Sequence, residues 1–324
     1  MQSNNFLVLV DLSAWLYMVI FHSVNEWSKK SKAEFSSMVH DPEETDQDNL
    51  PNLLVSDSFK RILKSSVTKK LSTLDWLLKK NYQDKLDVVD NVLFLLVSDD
   101  YTKNSFRKVL YPEYKGERAL VKKAYDYHAI RKYILDIVFP DLNLTENNYI
   151  QVACQGAEAD DIIATISKSE IFRQYYKIVV SSDHDFCQLH DEPNFIGQIN
   201  LFGDPVEDWL DKEKTKHLTA RESLIVKIIV GDKSDSIPQI WDGVGPKKAL
   251  ALARNREALT KKLCESKAAA EQFILNKKLI DMGSIPHELT KKIEDEVQKK
   301  IADIFDSSSQ NERLDMVEFD LMSL

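Results

Sequence analysis

Cysteine is scarce. The 324 residues hold three, Cys154, Cys187 and Cys264, an odd number with no CxxC pair. That argues against a disulfide framework or a zinc knuckle and for a reducing cytoplasm, the expected location. Long apolar runs are missing too: none approaches the roughly 20 residues that span a bilayer, so no membrane partner is expected. The N-terminus is polar through Asn5, and the apolar run after it meets Asp11, so no signal peptide is expected either. Positive charge is short overall, with a net charge of −9, which at first sight speaks against a nucleic-acid binder. Its distribution matters more than the sum. Hydrophobic residues at 43% and charged residues at 29% describe a soluble globular protein, with length for one large domain or two ordinary ones.

What the chain does have is acid at the ends of apolar strands. Phe6 to Val10 reads as a buried parallel strand ending at Asp11, and Val92 to Val97 as a second, followed by Asp99 and Asp100. Tyr149 to Ala153, Lys177 to Val180 and Phe195 to Phe202 read as three more strands. Helical patterns lie between them at 12–21, 56–82 and 124–138. The expected fold class is therefore α/β, a mostly parallel central sheet flanked by helices, with a helical C-terminal region. Gly156-Ala157-Glu158-Ala159-Asp160-Asp161 opens a further helix, and Ser182-Asp183-His184-Asp185 follows the fourth strand. Acids at a helix start also suit the positive end of the helix dipole and capping, so for the 158–161 group capping and a metal site both stand. Asp183 and Asp185, two apart, would share one face of an extended strand end. Carboxylates brought to one sheet edge repel unless protons or metal ions neutralise them, and parallel sheets place ligands at that edge.

Charge reverses along the chain. Residues 41–48 carry five acids and no base, within a stretch, 28–56, that reads as an exposed mobile loop. Residues 101–125 hold seven bases against two acids, with Tyr101, Phe106, Tyr111, Tyr114 and Tyr125 interleaved. Bases pair with phosphates and aromatics stack on unpaired nucleobases, so this reads as a single-strand-binding arm, mobile without nucleic acid. A solvated helical face is the plainer alternative. Thr219 with Glu222 forms a capping-box pattern for a helix to Val230. Asp232 and Asp235 then precede Gly243-Val244-Gly245-Pro246-Lys247-Lys248, a tight turn with proline at a helix start and amides suited to a phosphate. Residues 243–278 hold nine bases and three acids; from Asp281 onward there are eleven acids and five bases.

Taken together, Glu158-Ala159-Asp160-Asp161, Ser182-Asp183-His184-Asp185-Phe186 and Gly231-Asp232-Lys233-Ser234-Asp235 with Gly243-Val244-Gly245 resemble the 5′ nuclease, or flap endonuclease, family, and within it the branch of T-even-type bacteriophages. The resemblance runs from about Phe6 to Met282. It implies a nuclease domain over 1–203 with the basic arm near 101–125. It also implies a duplex-binding region over 204–324, with a helix-three-turn-helix near 219–255 and an acidic tail.

By resemblance, Asp11, Asp99, Glu158 and Asp160 would hold one Mg²⁺, and Asp161, Asp183, Asp185, Asp232 and Asp235 a second, with Mn²⁺ as a substitute. Lys115 and Arg118, from Tyr114-Lys115-Gly116-Glu117-Arg118, would act on the scissile phosphate beside Asp11, Asp99, Asp160 and Asp183. Lys103, Arg107, Lys108, Tyr114, Lys122 and Lys123 would bind DNA in the arm. Gly243, Gly245, Lys247 and Lys248 would grip the duplex, with a K⁺ ion at that turn. The implied activity is Mg²⁺-dependent hydrolysis at 5′ ends and flaps of DNA or RNA–DNA duplexes, removing RNA primers, with a single-stranded-DNA-binding protein as a further partner and, for a phage enzyme, the host-cell cytoplasm as its setting. A non-cleaving structure-specific binder and a PIN-type ribonuclease are the alternatives. The sequence departs from the pattern at His184, where the family commonly has glycine, which raises the question of whether that turn needs a positive φ.

Overall fold

Phe6–Val10 is apolar at every residue, and only a strand covered on both faces can bury such a run. It forms the middle of β1 (Asn5–Asp11), which is buried throughout. The computed structural model describes residues 5–86, 91–100, 105–117, 121–144, 148–206 and 218–322, with side chains described through residue 304. Around β1 stand β2 (Asn91–Val97), β3 (Tyr149–Val152), β4 (Tyr175–Val180) and β5 (Phe195–Ile199), in the order β3-β2-β1-β4-β5. Every pairing is parallel, so the mostly parallel sheet is fully parallel. Asp11 pairs with Val97 and Val10 with Val180, so the chain leaves β1, β2 and β4 at one edge of the sheet.

The helices are α1 (Leu12–Lys30), α2 (Lys32–Met38), α3 (Asp57–Leu86), α4 (Phe106–Leu110), α5 (Tyr127–Tyr133), α6 (Phe139–Asp141), α7 (Ala159–Lys168), α8 (Ala220–Val230), α9 (Pro246–Arg254), α10 (Arg256–Cys264), α11 (Lys267–Ile280) and α12 (His287–Met322). Side chains alternate across a strand, so Phe6, Val8 and Val10 meet one layer and Leu7 and Leu9 the other. The first layer is α1, α3 and α5, through Trp15, Leu16, Phe59, Leu63 and Ile130. The second is α7 and α12, through Ile162, Ile163, Ile166, Ile293, Val297 and Ile301. The region after Met282, where no motif was legible, thus builds a core layer. A separate cluster joins α8, α9 and α10 through Val226, Ile229, Ala249, Leu250 and Leu259. No helix among the described residues is long and apolar enough to cross a membrane.

Two sequence expectations change. The 28–56 stretch is not one loop: α2 occupies part of it, and Leu53 is fully buried. The cause is aromatic. Trp27 packs on Phe35 and Phe59 with ring centroids 5.5 and 5.3 Å apart, and donates its indole N–H to Ser58 Oγ at 2.8 Å, holding both ends of the stretch to α1 and α3. The helix read over 56–82 runs on to Leu86, but Tyr82 breaks it with φ −137°.

Candidate active site

Seven of the nine carboxylates proposed as metal ligands line one cleft of about 760 Å³: Asp11, Asp99, Asp160, Asp183, Asp185, Asp232 and Asp235. Lys115, Lys227 and Lys233 line the same space. Each acid is positioned by local chain chemistry. Asp11 ends β1 and caps α1, accepting from Ala14 N–H at 3.1 Å and Ser181 hydroxyl at 3.0 Å. Asp99, just past β2, accepts from the Ala159 N–H at 2.8 Å and the Ser13 hydroxyl at 3.0 Å, tying β2 to the starts of α1 and α7. Asp183 caps a short 3₁₀ turn over His184–Leu189 and accepts from the Asp185 N–H at 2.8 Å. Asp183 and Asp185 therefore converge through that turn rather than through strand alternation. His184 lies in the turn outside the residues of positive φ, so no glycine is required there. Asp232 caps a second 3₁₀ turn, Lys233–Asp235, accepting from Ser234 N–H at 2.8 Å. Gly231, which ends α8, has φ +73°, and a Cβ there would meet Ile237 O at 2.5 Å. Only glycine fits this close approach.

The 158–161 group divides. Asp160 faces the cleft, whereas Glu158 and Asp161 do not line it. Asp161 is fully buried; it accepts from the Glu158 N–H at 2.9 Å, and its Oδ1 lies 2.7 Å from Arg107 Nη1. Glu158 takes Arg107 Nη1 at 3.0 Å and Lys115 Nζ at 2.6 Å. The Tyr114 hydroxyl lies 3.1 Å from both Glu158 Oε2 and Asp235 Oδ2. Capping and ion pairing thus account for Glu158 and Asp161, while Asp160 takes a place in the cleft.

This corrects part of the arm. Arg107 and Tyr114, expected to touch DNA, are only 4% and 3% exposed. Arg107 Nε also donates to Leu279 O at 2.8 Å, so its guanidinium is spent on buried acceptors. Burial opposes the Arg107 charge, yet the Asp161 and Glu158 carboxylates hold its pKa above the ordinary value. Lys115 has φ +56°, uncommon without glycine, and its N–H donates to Asp235 O at 2.9 Å, which aims the side chain at the cleft. Lys108 is exposed. Lys122 pairs with Glu43 at 2.5 Å and the Lys123 N–H donates to Gln47 at 2.8 Å, so the acidic 41–48 segment meets the end of the arm. Lys103 and Arg118 lie outside the described residues. Gly243 and Gly245 stand on an exposed turn before α9 and Lys247 and Lys248 in its first turn, with Lys248 Nζ donating to Gly243 O at 3.1 Å. Lys227 is the residue that sequence reasoning missed. Its place in α8, one residue past the buried Val226, looks like an ordinary surface position, and only the return of Asp232 beside Asp185 gives it two acids to bridge.

The electrostatics show crowding. Burial raises the pKa of Asp11, with Asp99 and Asp183 adding to it against the bonds from Ala14 and Ser181. Asp160 is raised well above the carboxylate range by burial and by Asp183, Asp11 and Asp99, with Lys115 opposing. Burial pushes Asp185 up to about 6 despite Lys227. At Asp232 burial is outweighed by Lys227 and Ser234, and the pKa falls. Among the described residues no three His, Cys, Asp or Glu side chains stand as a ready-made metal cage. The donor set still fits a hard divalent cation: it is all carboxylate oxygen, its members face one space, and raised pKa values mark negative charge that lacks a counter-ion.

The fold agrees with what the chain resembles. Residues 82–222 match the family described as the 5′-3′ exonuclease, N-terminal resolvase-like domain. A flap endonuclease Xni from Shewanella oneidensis is 31% identical over 157 residues, 48% of this chain and 55% of that protein. A 5′-3′ exonuclease from Buchnera aphidicola is 27% identical over 57% of this chain and 58% of its own length. DNA polymerase I of Streptococcus pneumoniae is 30% identical over 49% of this chain and 17% of its own. The chain thus spans little more than half of the nuclease relatives it matches. Among solved structures, bacteriophage T5 5′-exonuclease with bound zinc superimposes with a TM-score of 0.55 at 17% identity, covering 92% of this chain and 99% of that one. A T5 flap endonuclease complexed with DNA and metal ions gives 0.55 at 16% identity, over 91% and 98%. Over residues 82–222 the chain thus resembles the 5′-3′ exonucleases and flap endonucleases, and its fold is that of the T5 5′-exonuclease.

Proposed function

We propose that the chain is a metal-dependent 5′ nuclease that hydrolyses phosphodiester bonds at 5′ ends and 5′ flaps of DNA and RNA–DNA duplexes. The observation that carries it is the cleft itself, seven carboxylates from five places in the chain around one volume with Lys115 at its wall. A surface built only to bind DNA gains nothing from holding seven anions against phosphate. A pair of Mg²⁺ ions, with Mn²⁺ as substitute, would be held by Asp11, Asp99 and Asp160 at one end and Asp185, Asp232 and Asp235 at the other, with Asp183 between, and supply an activated water and charge relief at the leaving oxygen. Lys115 steadies the phosphate; its neighbours Glu158, Asp160 and Asp235 outweigh burial and keep it charged. Arg118 is proposed for the same task.

The exposed turn Gly243–Lys248 and the start of α9 suit the backbone of the double-stranded part, through amides, Lys247 and a K⁺ ion. Lys103, Lys108, Lys122 and Lys123 remain as arm contacts to the unpaired 5′ end. Removal of RNA primers, contact with a single-stranded-DNA-binding protein and a cytoplasmic setting belong to the same proposal. The division into a nuclease part to about 203 and a duplex-binding part beyond it is retained for the chemistry, while α12 serves the core of the first.

The test is cleavage of a labelled 5′-flap duplex with Mg²⁺ and with EDTA. Asp160→Asn and Asp183→Asn should each lose about 10³-fold or more in cleavage rate while still binding duplex, because binding does not need the acids and charge stabilisation does. Full activity in both variants, or in EDTA, would overturn the proposal.

A further inference from the structure

The two ends of the cleft are neutralised differently. Among the described residues Asp11, Asp99 and Asp183 accept from neutral groups: the hydroxyls of Ser181 and Ser13 and the N–H groups of Ala14, Ala159 and Asp185. At the opposite end a lysine stands between two acids. Lys227, in the last turn of α8, has Nζ 2.9 Å from Asp232 Oδ2 and hydrogen-bonded to Asp185 Oδ1. The three side chains are 26%, 17% and 19% exposed, so water shields this arrangement only in part. Lys115, like Lys233 another lysine of the cleft, pairs its ammonium with Glu158, which does not line the cleft.

We propose that Lys227 is an internal counter-ion occupying the Asp185–Asp232 end of the cleft, and that a divalent cation entering there must displace its ammonium. At the other end no ammonium of the described residues is bonded to Asp11, Asp99 or Asp160, and Lys115 acts on Asp160 only across space. The proposal rests on the metal-dependent reading above. An ammonium and a divalent cation seek the same carboxylate lone pairs and repel one another, so they do not share the position. Lysine suits an exchangeable plug: its charge sits on a flexible four-carbon stem and makes no fixed fork. Ser223, Val226 and Val230 of the same helix line the cleft around its root, so the displaced ammonium stays within reach of a phosphate in that space. A counter-ion for carboxylates thereby becomes a ligand for nucleic acid. Occupancy of this end is consequently coupled to substrate, each favouring the other by the same factor.

Calorimetric titration of the full chain with Mn²⁺ alone, without nucleic acid, tests this on wild type, Lys227→Met and the polar Lys227→Gln. Wild type should show a tight and a weak class of site. Both variants should tighten the weak class about tenfold or more, the size of one charge-assisted hydrogen bond, and leave the tight class within about twofold. Melting in EDTA should fall for Lys227→Met and recover with Mn²⁺, since two acids then lack their counter-ion. A weak class unchanged or weakened in both folded variants overturns the proposal while the metal reading stands. Absence of Mn²⁺ binding to every protein, wild type included, overturns both.

Discussion

Two stretches of this chain carry nearly the same surplus of base and use it in opposite ways. Residues 101–125 have seven bases against two acids, and residues 243–278 nine against three. In the first, Arg107 is 4% exposed and closes on Glu158 and Asp161, and Lys115 closes on Glu158. In the second, Lys247 and Lys248 stand exposed in the first turn of α9. A run of base thus has two physical meanings. It lies open to solvent where the fold leaves it at the surface, and it is a counter-ion for the protein's own acids where the fold carries acids to it. The acids responsible here lie 51 and 43 residues away from Arg107 and Lys115, beyond the reach of local pattern.

The sharpest way to break that comparison is to remove Arg107. If it is a counter-ion, Arg107→Met should cost about 3–5 kcal/mol of stability in denaturant unfolding, because Asp161 and Glu158 are left buried with a missing partner. The salt dependence of duplex binding should not change. Unchanged stability with a shallower salt slope would make Arg107 a DNA ligand after all.

Lys115 comes next, since it belongs to the first stretch by position and to the cleft by its ammonium. Lys115→Ala should slow single-turnover cleavage by about 10²–10³, the usual loss when one donor to a transition-state charge is removed. Duplex affinity should hold. A normal cleavage rate would leave Lys115 as a partner of Glu158 alone.

For the second stretch the effect lies in binding. Lys247→Ala with Lys248→Ala should leave stability within about 0.5 kcal/mol, as for exposed positions. The slope of log affinity against log salt should shrink by about one unit for each lost phosphate contact. An unaltered slope would move the duplex to another surface.

Much of this was legible and some was not, for physical reasons. The five strands showed because a parallel sheet buries both faces, and a run such as Leu93–Val97 has no other stable place. The acids at 11, 99 and 183 showed because strand ends on one sheet edge bring their followers together. Thr219 with Glu222 and Pro246 showed because caps act through neighbours in sequence. The roles of Glu158, Asp161, Arg107 and Tyr114 did not show, because each is set by a partner from another element. Nor did α12: its charge balance reads as a tail, and only the packing of Ile293, Val297 and Ile301 on the sheet layer marks it as core.

Lys177 gives the smallest test and completes the contrast, being a buried lysine with no carboxylate of the described residues bonded to it. It lies on β4 at 1% exposure, and burial pushes its pKa down to about 8, with Glu192 and Glu170 only partly restoring it. In the unfolded chain the group titrates near the ordinary lysine value of about 10.4. Between pH 8 and about 10.5 the unfolded chain therefore binds a proton that the folded chain has shed, and this group makes stability rise with pH. Below pH 8 both states are protonated and its cost is fully present. Lys177→Met keeps the length of the side chain and removes the charge, so at pH 7 it should stabilise the protein by on the order of 1–3 kcal/mol. The advantage over wild type should shrink as pH rises from 8 to 10.5. Taking the difference between the two proteins cancels other alkaline titrations, such as Tyr149, which burial raises to about 12. Denaturant melts of both proteins from pH 7 to 10.5 measure it. A flat difference, or a wild type that is more stable throughout, would mean that Lys177 has found a counter-charge and belongs with Arg107 rather than apart from it.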